Sequence, residues 1–195
     1  MDTFLFVLVI LIAYFLGNIS PAIIIGKING IDIKKEGSGN AGTTNVLRVM
    51  GKKSALITLT IDILKGVVAV GLGFAFSTPL AAMICACAAF VGHIWPICFG
   101  FKGGKGVAVA FGAVMAINWK VGLMALGIVA FGLLISKRMS VGSILGGVTF
   151  PILVYYMEPD FLYIGTVMAI ILIFKHRGNI KRLVKGEEPR MSFKK

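Results

Sequence analysis

The stretch from Phe4 to Ile25 holds no charged residue and, as an α-helix, would reach about 33 Å. A bilayer's hydrocarbon core is roughly 30 Å thick, so this segment suits a membrane better than a water-soluble core. The pattern recurs along the chain. Apolar segments at about 4–25, 55–76, 80–99, 105–118, 120–135, 141–156 and 161–174 predict an all-α, polytopic integral membrane protein of seven transmembrane helices, a single domain over residues 1–195. The composition agrees: 57% of residues are hydrophobic and only 14% charged, where a soluble domain carries about a quarter charged residues.

Charge placement sets the orientation. The formal net charge of +12 would suggest nucleic acid in a soluble protein, but the basic residues lie in a few short connections and the tail. No aromatic-interleaved basic platform accompanies them, so nucleic acid is not expected as a partner. Lys and Arg concentrate on the cytoplasmic side of membrane proteins. Asp2 precedes the first span and Lys27 follows it, the reverse of a cleaved secretory signal. Lys102 and Lys105 precede the region Val107 to Ile135, and Lys137 and Arg138 follow it. Val107 to Ile117 alone gives only ~16 Å of helix, yet the two basic pairs favour two short crossings there. Glu158-Pro159-Asp160 makes an acidic outer turn, and the tail from Lys175 is strongly basic. The N-terminus is therefore expected outside, the C-terminus inside, and Lys120 as the lone basic residue outside. The chain is therefore expected to cross its membrane several times.

Local signals add detail. Pro21 should kink the first span, Ser54 should cap the second, and Ser77-Thr78-Pro79 should turn the chain, with Pro79 in the next helix's first turn. Cys85, Cys87 and Cys98 fall in one apolar stretch without metal-ligand partners, so they read as small buried hydrophobes and no metal is expected. Asp62 and Lys65, three apart inside a span, could neutralise each other, and His93 reads as a helix–helix contact.

Three glycine- and basic-rich stretches interrupt the apolar pattern: Gly37 to Arg48, Phe101 to Ala108, and Lys175 to Leu183. The orientation places all three on the cytoplasmic face. Gly37-Ser38-Gly39-Asn40-Ala41-Gly42 fits the spacing of a dinucleotide loop, but no βαβ unit surrounds it. Lys102-Gly103-Gly104-Lys105-Gly106 is not a Walker loop either, because Phe99 stands where glycine is required and Val107 where Ser or Thr is. What remains is loop physics: glycines let successive N–H groups face one concavity, a nest for an anion. A short helix from Thr43 or Thr44 to Met50 would add a dipole, and Arg48 a planar fork for phosphate. Lys105 adds a point charge. His176 can exchange a proton near neutral pH and Asn179 can orient a hydroxyl; a helix continuing from the last span would put them on nearly one face. Ser143 begins the sixth span close to the same side.

In order, these residues resemble the bacterial acyl-phosphate:glycerol-3-phosphate acyltransferases, the PlsY family. Gly37-Ser38-Gly39-Asn40-x-Gly42-x-Thr44-Asn45-x-x-Arg48 is similar to the family's first motif. Gly92-His93-x-x-Pro96 leading into Phe101-Lys102-Gly103-Gly104-Lys105-Gly106-Val107-Ala108 is similar to the second. His176-Arg177-x-Asn179-Ile180-x-Arg182-Leu183, then Gly186-Glu187, is similar to the third. Gly178 departs from it, standing where relatives commonly carry a polar residue. The resemblance implies acyl transfer from acyl phosphate to the sn-1 hydroxyl of glycerol 3-phosphate, in a membrane-lipid setting, with no cofactor and no obligate protein partner. It implies His176, Asn179 and Ser38 as catalytic residues. It implies Gly37, Gly39, Asn40, Gly42, Thr44, Asn45, Arg48, Gly103, Gly104, Lys105, Gly106 and Ser143 as substrate- and phosphate-binding residues. A transporter for a phosphorylated metabolite is the alternative from another class; it would place its site at the midplane, often with repeat symmetry.

Overall fold

The computed structural model describes residues 3–75 and 78–191. Asp2, Phe76 and Ser77 of the expected segments lie outside the described residues. All regular structure among the described residues is helical, and the chain divides into two compact units, one ending at Ile117 and one starting at Asn118.

The first unit begins with α1 (Thr3–Asn18) and α2 (Pro21–Ile28), bent by 40°. Pro21 opens α2, where a missing N–H costs nothing, so the expected kink is a full helix break. Next come α3 (Thr43–Ala75), α4 (Pro79–Ile94), a 3₁₀ turn at Ile97–Phe99, and α5 (Val107–Ile117). Thr78 caps α4, its Oγ1 accepting from Ala81 N at 3.1 Å, with Pro79 in the first turn as expected. Gly51, at φ +81°, breaks α3 between Met50 and the long apolar part. Ser54 is therefore not the cap expected of it: the helix already includes Lys52 and Lys53, and the Ser54 carbonyl accepts from Thr58 Oγ1 at 2.8 Å. A glycine in the left-handed region turns this corner without a side-chain cap.

Small residues let these helices meet backbone to backbone, the usual device of membrane packing. A Cβ on Gly66 of α3 would overlap Val109 O of α5, and one on Gly112 of α5 would overlap Ile63 O of α3. Gly112→Val is expected to force the pair apart and cost about 1–3 kcal/mol, read as a lower melting temperature in detergent. An unchanged melting temperature would mean that the α3–α5 contact is looser than this geometry.

The second unit contains α6 (Trp119–Ser136), α7 (Met139–Met157), a 3₁₀ turn at Pro159–Phe161, α8 (Leu162–Lys175) and α9 (Arg177–Val184). Asn118 caps α6 through Oδ1, which accepts from Lys120 N at 3.1 Å and Val121 N at 3.3 Å, while its Nδ2 donates to Glu158 Oε2 at 2.9 Å. The chain does not run on helically from α8. It turns by 51° at His176, so His176 closes one helix and Asn179 sits in the next.

By length and composition, four helices can cross a membrane: α3, α4 with its 3₁₀ extension, α6 and α7. The bent pairs α1–α2 and α8–α9 raise this to six, and α5 is a shorter apolar helix of 11 residues. Their outward faces carry large apolar side chains, such as Leu134 at 76% exposure and Ile170 at 62%. Water would penalise that surface and lipid favours it.

Candidate active site

The first unit holds two of the three glycine-rich loops. The 37–42 loop reverses direction at Gly37 and Gly39, both at positive φ. It is organised from below by Asn45, which is 1% exposed. The Asn45 amide donates to Ile33 O at 3.2 Å and Glu36 O at 2.9 Å, and its Oδ1 accepts from Ser38 N at 2.8 Å. Asn45, expected among the substrate ligands, has both amide protons committed to the loop backbone. A Cβ on Gly37 would overlap Asn45 Oδ1, which is why this corner takes glycine. Ser38 stands exposed above the clamp, and Asn40, Gly42, Thr44 and Arg48 are partly exposed.

Four of the loop N–H groups are committed within the protein. Gly39 N donates to Glu36 O at 2.9 Å and Gly42 N to Asn40 O at 3.0 Å. In the second loop, Gly103 N donates to Ile94 O and Gly104 N to His93 O, both at 3.2 Å. These four N–H groups close the loops on themselves or on the end of α4. The two loops are neighbours, since a Cβ on Gly104 would stand 2.8 Å from Ala41 O. Beside them Lys34 donates from Nζ to Phe99 O at 3.1 Å. Burial pushes the Lys34 ammonium below its ordinary value; Asp32 opposes the shift, and Lys102 and Lys27 add to it.

The second unit holds the histidine of the third stretch. His176 is 2% exposed, and its Nδ1 lies 2.8 Å from Leu172 O. A carbonyl only accepts, so Nδ1 carries a proton and donates to it. Asn179 is buried too, and its Nδ2 donates to Glu188 Oε1 at 2.6 Å. Glu188 is the residue that sequence reasoning missed. The same Oε1 accepts from Ser140 Oγ at 2.7 Å, and Oε2 accepts from Arg182 Nε at 2.8 Å. Gly186, at φ +75°, ends α9 in a Schellman turn: its N–H donates to Leu183 O at 3.1 Å and Glu187 N to Arg182 O at 2.8 Å. The tail then returns to the start of α7, where Arg138 Nε donates to Glu188 O at 2.9 Å and Met191 N to Lys137 O at 2.7 Å. Ser143 is buried in α7 with its hydroxyl donating to Met139 O at 3.0 Å.

The helices long and apolar enough to cross a membrane define the class: a multi-pass helical membrane protein. The particular family follows from comparison. The family model described as glycerol-3-phosphate acyltransferase matches residues 7–186. A glycerol-3-phosphate acyltransferase of Thermoanaerobacter sp. (strain X514) is 42% identical over 191 residues, covering 96% of each chain. One from Clostridioides difficile (strain 630) is 40% identical over 206 residues, covering 100% of each. The crystal structure of PlsY, an integral membrane glycerol 3-phosphate acyltransferase in its glycerol 3-phosphate form, is similar at a TM-score of 0.88 and 33% identity over 96% of each chain. Its lysophosphatidic acid form gives 0.87. The chain belongs to the glycerol-3-phosphate acyltransferase family, multi-pass membrane enzymes of phospholipid synthesis.

Proposed function

We propose that the chain transfers a fatty acyl group from acyl phosphate to the sn-1 hydroxyl of glycerol 3-phosphate, releasing lysophosphatidate and inorganic phosphate, as the first acylation of phospholipid synthesis. The observation that carries this reading is His176, buried and with its imidazole oriented through Nδ1, 2.8 Å from Leu172 O. Direct attack suits the groups present. The Ser143 hydroxyl donates within its own helix and has no base to activate it as a nucleophile. Acyl phosphate is a mixed anhydride and needs no acyl-enzyme. The glycerol oxygen attacks the carbonyl carbon, the carbon–oxygen bond to phosphate breaks, and phosphate leaves with the electron pair. The hydroxyl proton passes to His176 Nε2. Asn179, held by Glu188, orients the attacking hydroxyl. Ser38, Arg48 and Lys105 hold phosphate and stabilise its leaving charge. The glycines, with Asn40, Thr44 and Asn45, give the loops the shape that presents those three.

The same reading counts seven crossings, taking α5 as a short span and each bent pair as one. It puts the N-terminus outside and the C-terminus on the cytoplasmic side of the bacterial inner membrane. The reaction as written requires no metal, cofactor or protein partner.

The test is direct. Purified protein in detergent, given labelled glycerol 3-phosphate, is expected to form lysophosphatidate with acyl phosphate and not with acyl-CoA. Product from acyl-CoA alone would overturn the donor assignment. No product, together with phosphate-ester uptake by proteoliposomes, would move the assignment to transport.

A further inference from the structure

An acid, an amine and an imidazole lie buried among the membrane helices of the first unit: Asp62 at 2% exposure, Lys65 at 3% and His93 at 6%. Lys65 Nζ lies 2.9 Å from Asp62 Oδ1 and 2.8 Å from His93 Nδ1. It also donates to Gly17 O at 3.0 Å and Ile19 O at 2.7 Å, at the break between α1 and α2. One ammonium thus satisfies the carbonyls that the break exposes and joins α1, α3 and α4 at one point.

The consequence reaches the second loop. His93 Nδ1 faces the Lys65 ammonium and, at 3.4 Å, Asp62 Oδ1, so the ring is held from its Nδ1 side. Nε2 faces Gly104: a Cβ there would overlap it. The His93 carbonyl accepts from Gly104 N, and the Ile94 carbonyl from Gly103 N. Gly104 is therefore seated between the imidazole edge and Ala41 O, one residue before Lys105. Burying charge in a membrane is costly even when paired, and well-packed apolar residues commonly hold helices together equally well. An apolar trio would not fix the rotation of an imidazole.

We infer that Asp62, Lys65 and His93 are positioning residues for the Lys105 loop, setting the seat of Gly104 and through it the placement of the phosphate-holding lysine. This rests on the reading that Lys105 holds substrate phosphate.

The test couples His93 to Gly104. His93→Ala, Gly104→Ala and the double variant are purified in detergent, and KM for each substrate, kcat and melting temperature are measured. Each single variant is expected to raise KM for at least one phosphate-bearing substrate about tenfold or more. The double variant should raise it less than the product of the two, because the vacated imidazole space admits the new Cβ. His93→Gln, with an amide group near the Nε2 position, should stay within about threefold of the parent. A lower melting temperature with KM unchanged in every variant, or strictly multiplicative effects, would overturn the inference. If His93→Ala does not fold, His93→Asn takes its place, keeping an acceptor for Lys65 while vacating the Nε2 position. If the parent protein prefers acyl-CoA, the donor reading fails while the same coupling is read from KM for glycerol 3-phosphate. If it turns over neither donor, calorimetric affinity for glycerol 3-phosphate supplies the readout, and additive effects there would equally overturn the inference.

Discussion

Replacing His176 with alanine is expected to lower kcat by roughly 10²–10⁴-fold, the usual contribution of a positioned general base. KM for glycerol 3-phosphate should move by no more than a few-fold, because the loss falls on the transition state rather than on binding. The side chain is 2% exposed and ends α8, with its Nδ1 on the Leu172 carbonyl of the same helix. Its removal deletes the bond to Leu172 O within the same helix and should leave the melting temperature within a few degrees. Asparagine at this position can keep the bond to Leu172 but lacks an equivalent of Nε2, so His176→Asn should be as slow as alanine. Steady-state rates with acyl phosphate decide the matter. Near-full turnover in either variant would remove histidine from the proton-accepting role and hand it to a substrate phosphate.

Glu188→Ala should produce the largest loss of stability, roughly 2–5 kcal/mol, because it leaves buried donors without an acceptor. Ser140 and Asn179 both donate to Oε1, and Arg182 to Oε2. Activity should fall with stability, since the Asn179 amide loses its anchor. The pH dependence has a definite sign. Burial alone would raise the Glu188 pKa, but hydrogen bonds from Ser140, Asn179 and Arg182, with the Arg182 charge, hold it below its ordinary 4.5. A depressed carboxylate stabilises fully above the unfolded value, and that contribution disappears as pH falls through the folded value. The melting-temperature gap between the parent and Glu188→Gln should therefore be constant from neutral pH down to about 5 and shrink below about 4. A gap that widens on acidification would show that the carboxylate is not the stabilising form.

These two residues also mark what the sequence could and could not convey. His176 stands out as a candidate in the sequence because a histidine beside a glycine and basic stretch after an apolar segment is uncommon chemistry in an uncommon place. Helix positions were legible from apolar length alone, and the Asp62–Lys65 pair from its three-residue spacing. Glu188 was not, because its partner Ser140 lies 48 residues away and an acid in a basic tail resembles a solvated charge. The direction of the Gly103 and Gly104 N–H groups was hidden for a related reason. Whether a glycine loop turns its amides outward to an anion or inward to a helix end depends on the end of α4, which composition does not specify. Asn45 shows the same limit: a polar residue in a phosphate-friendly motif proved to be the clamp beneath it. The bend at His176 was missed because no proline marks it and Gly178, two residues on, lies within α9.

The clasp around Glu188 has a consequence for how the protein is made. Ser140 and Arg138 leave the ribosome early in the synthesis of the second unit, whereas Glu188 follows the last apolar helix. Until that residue emerges, Asn179 has no carboxylate to hold it and α9 has no fixed docking point on α7. Membrane insertion can thus run to completion while the enzyme is still idle, and competence arrives as a late, post-insertion folding event.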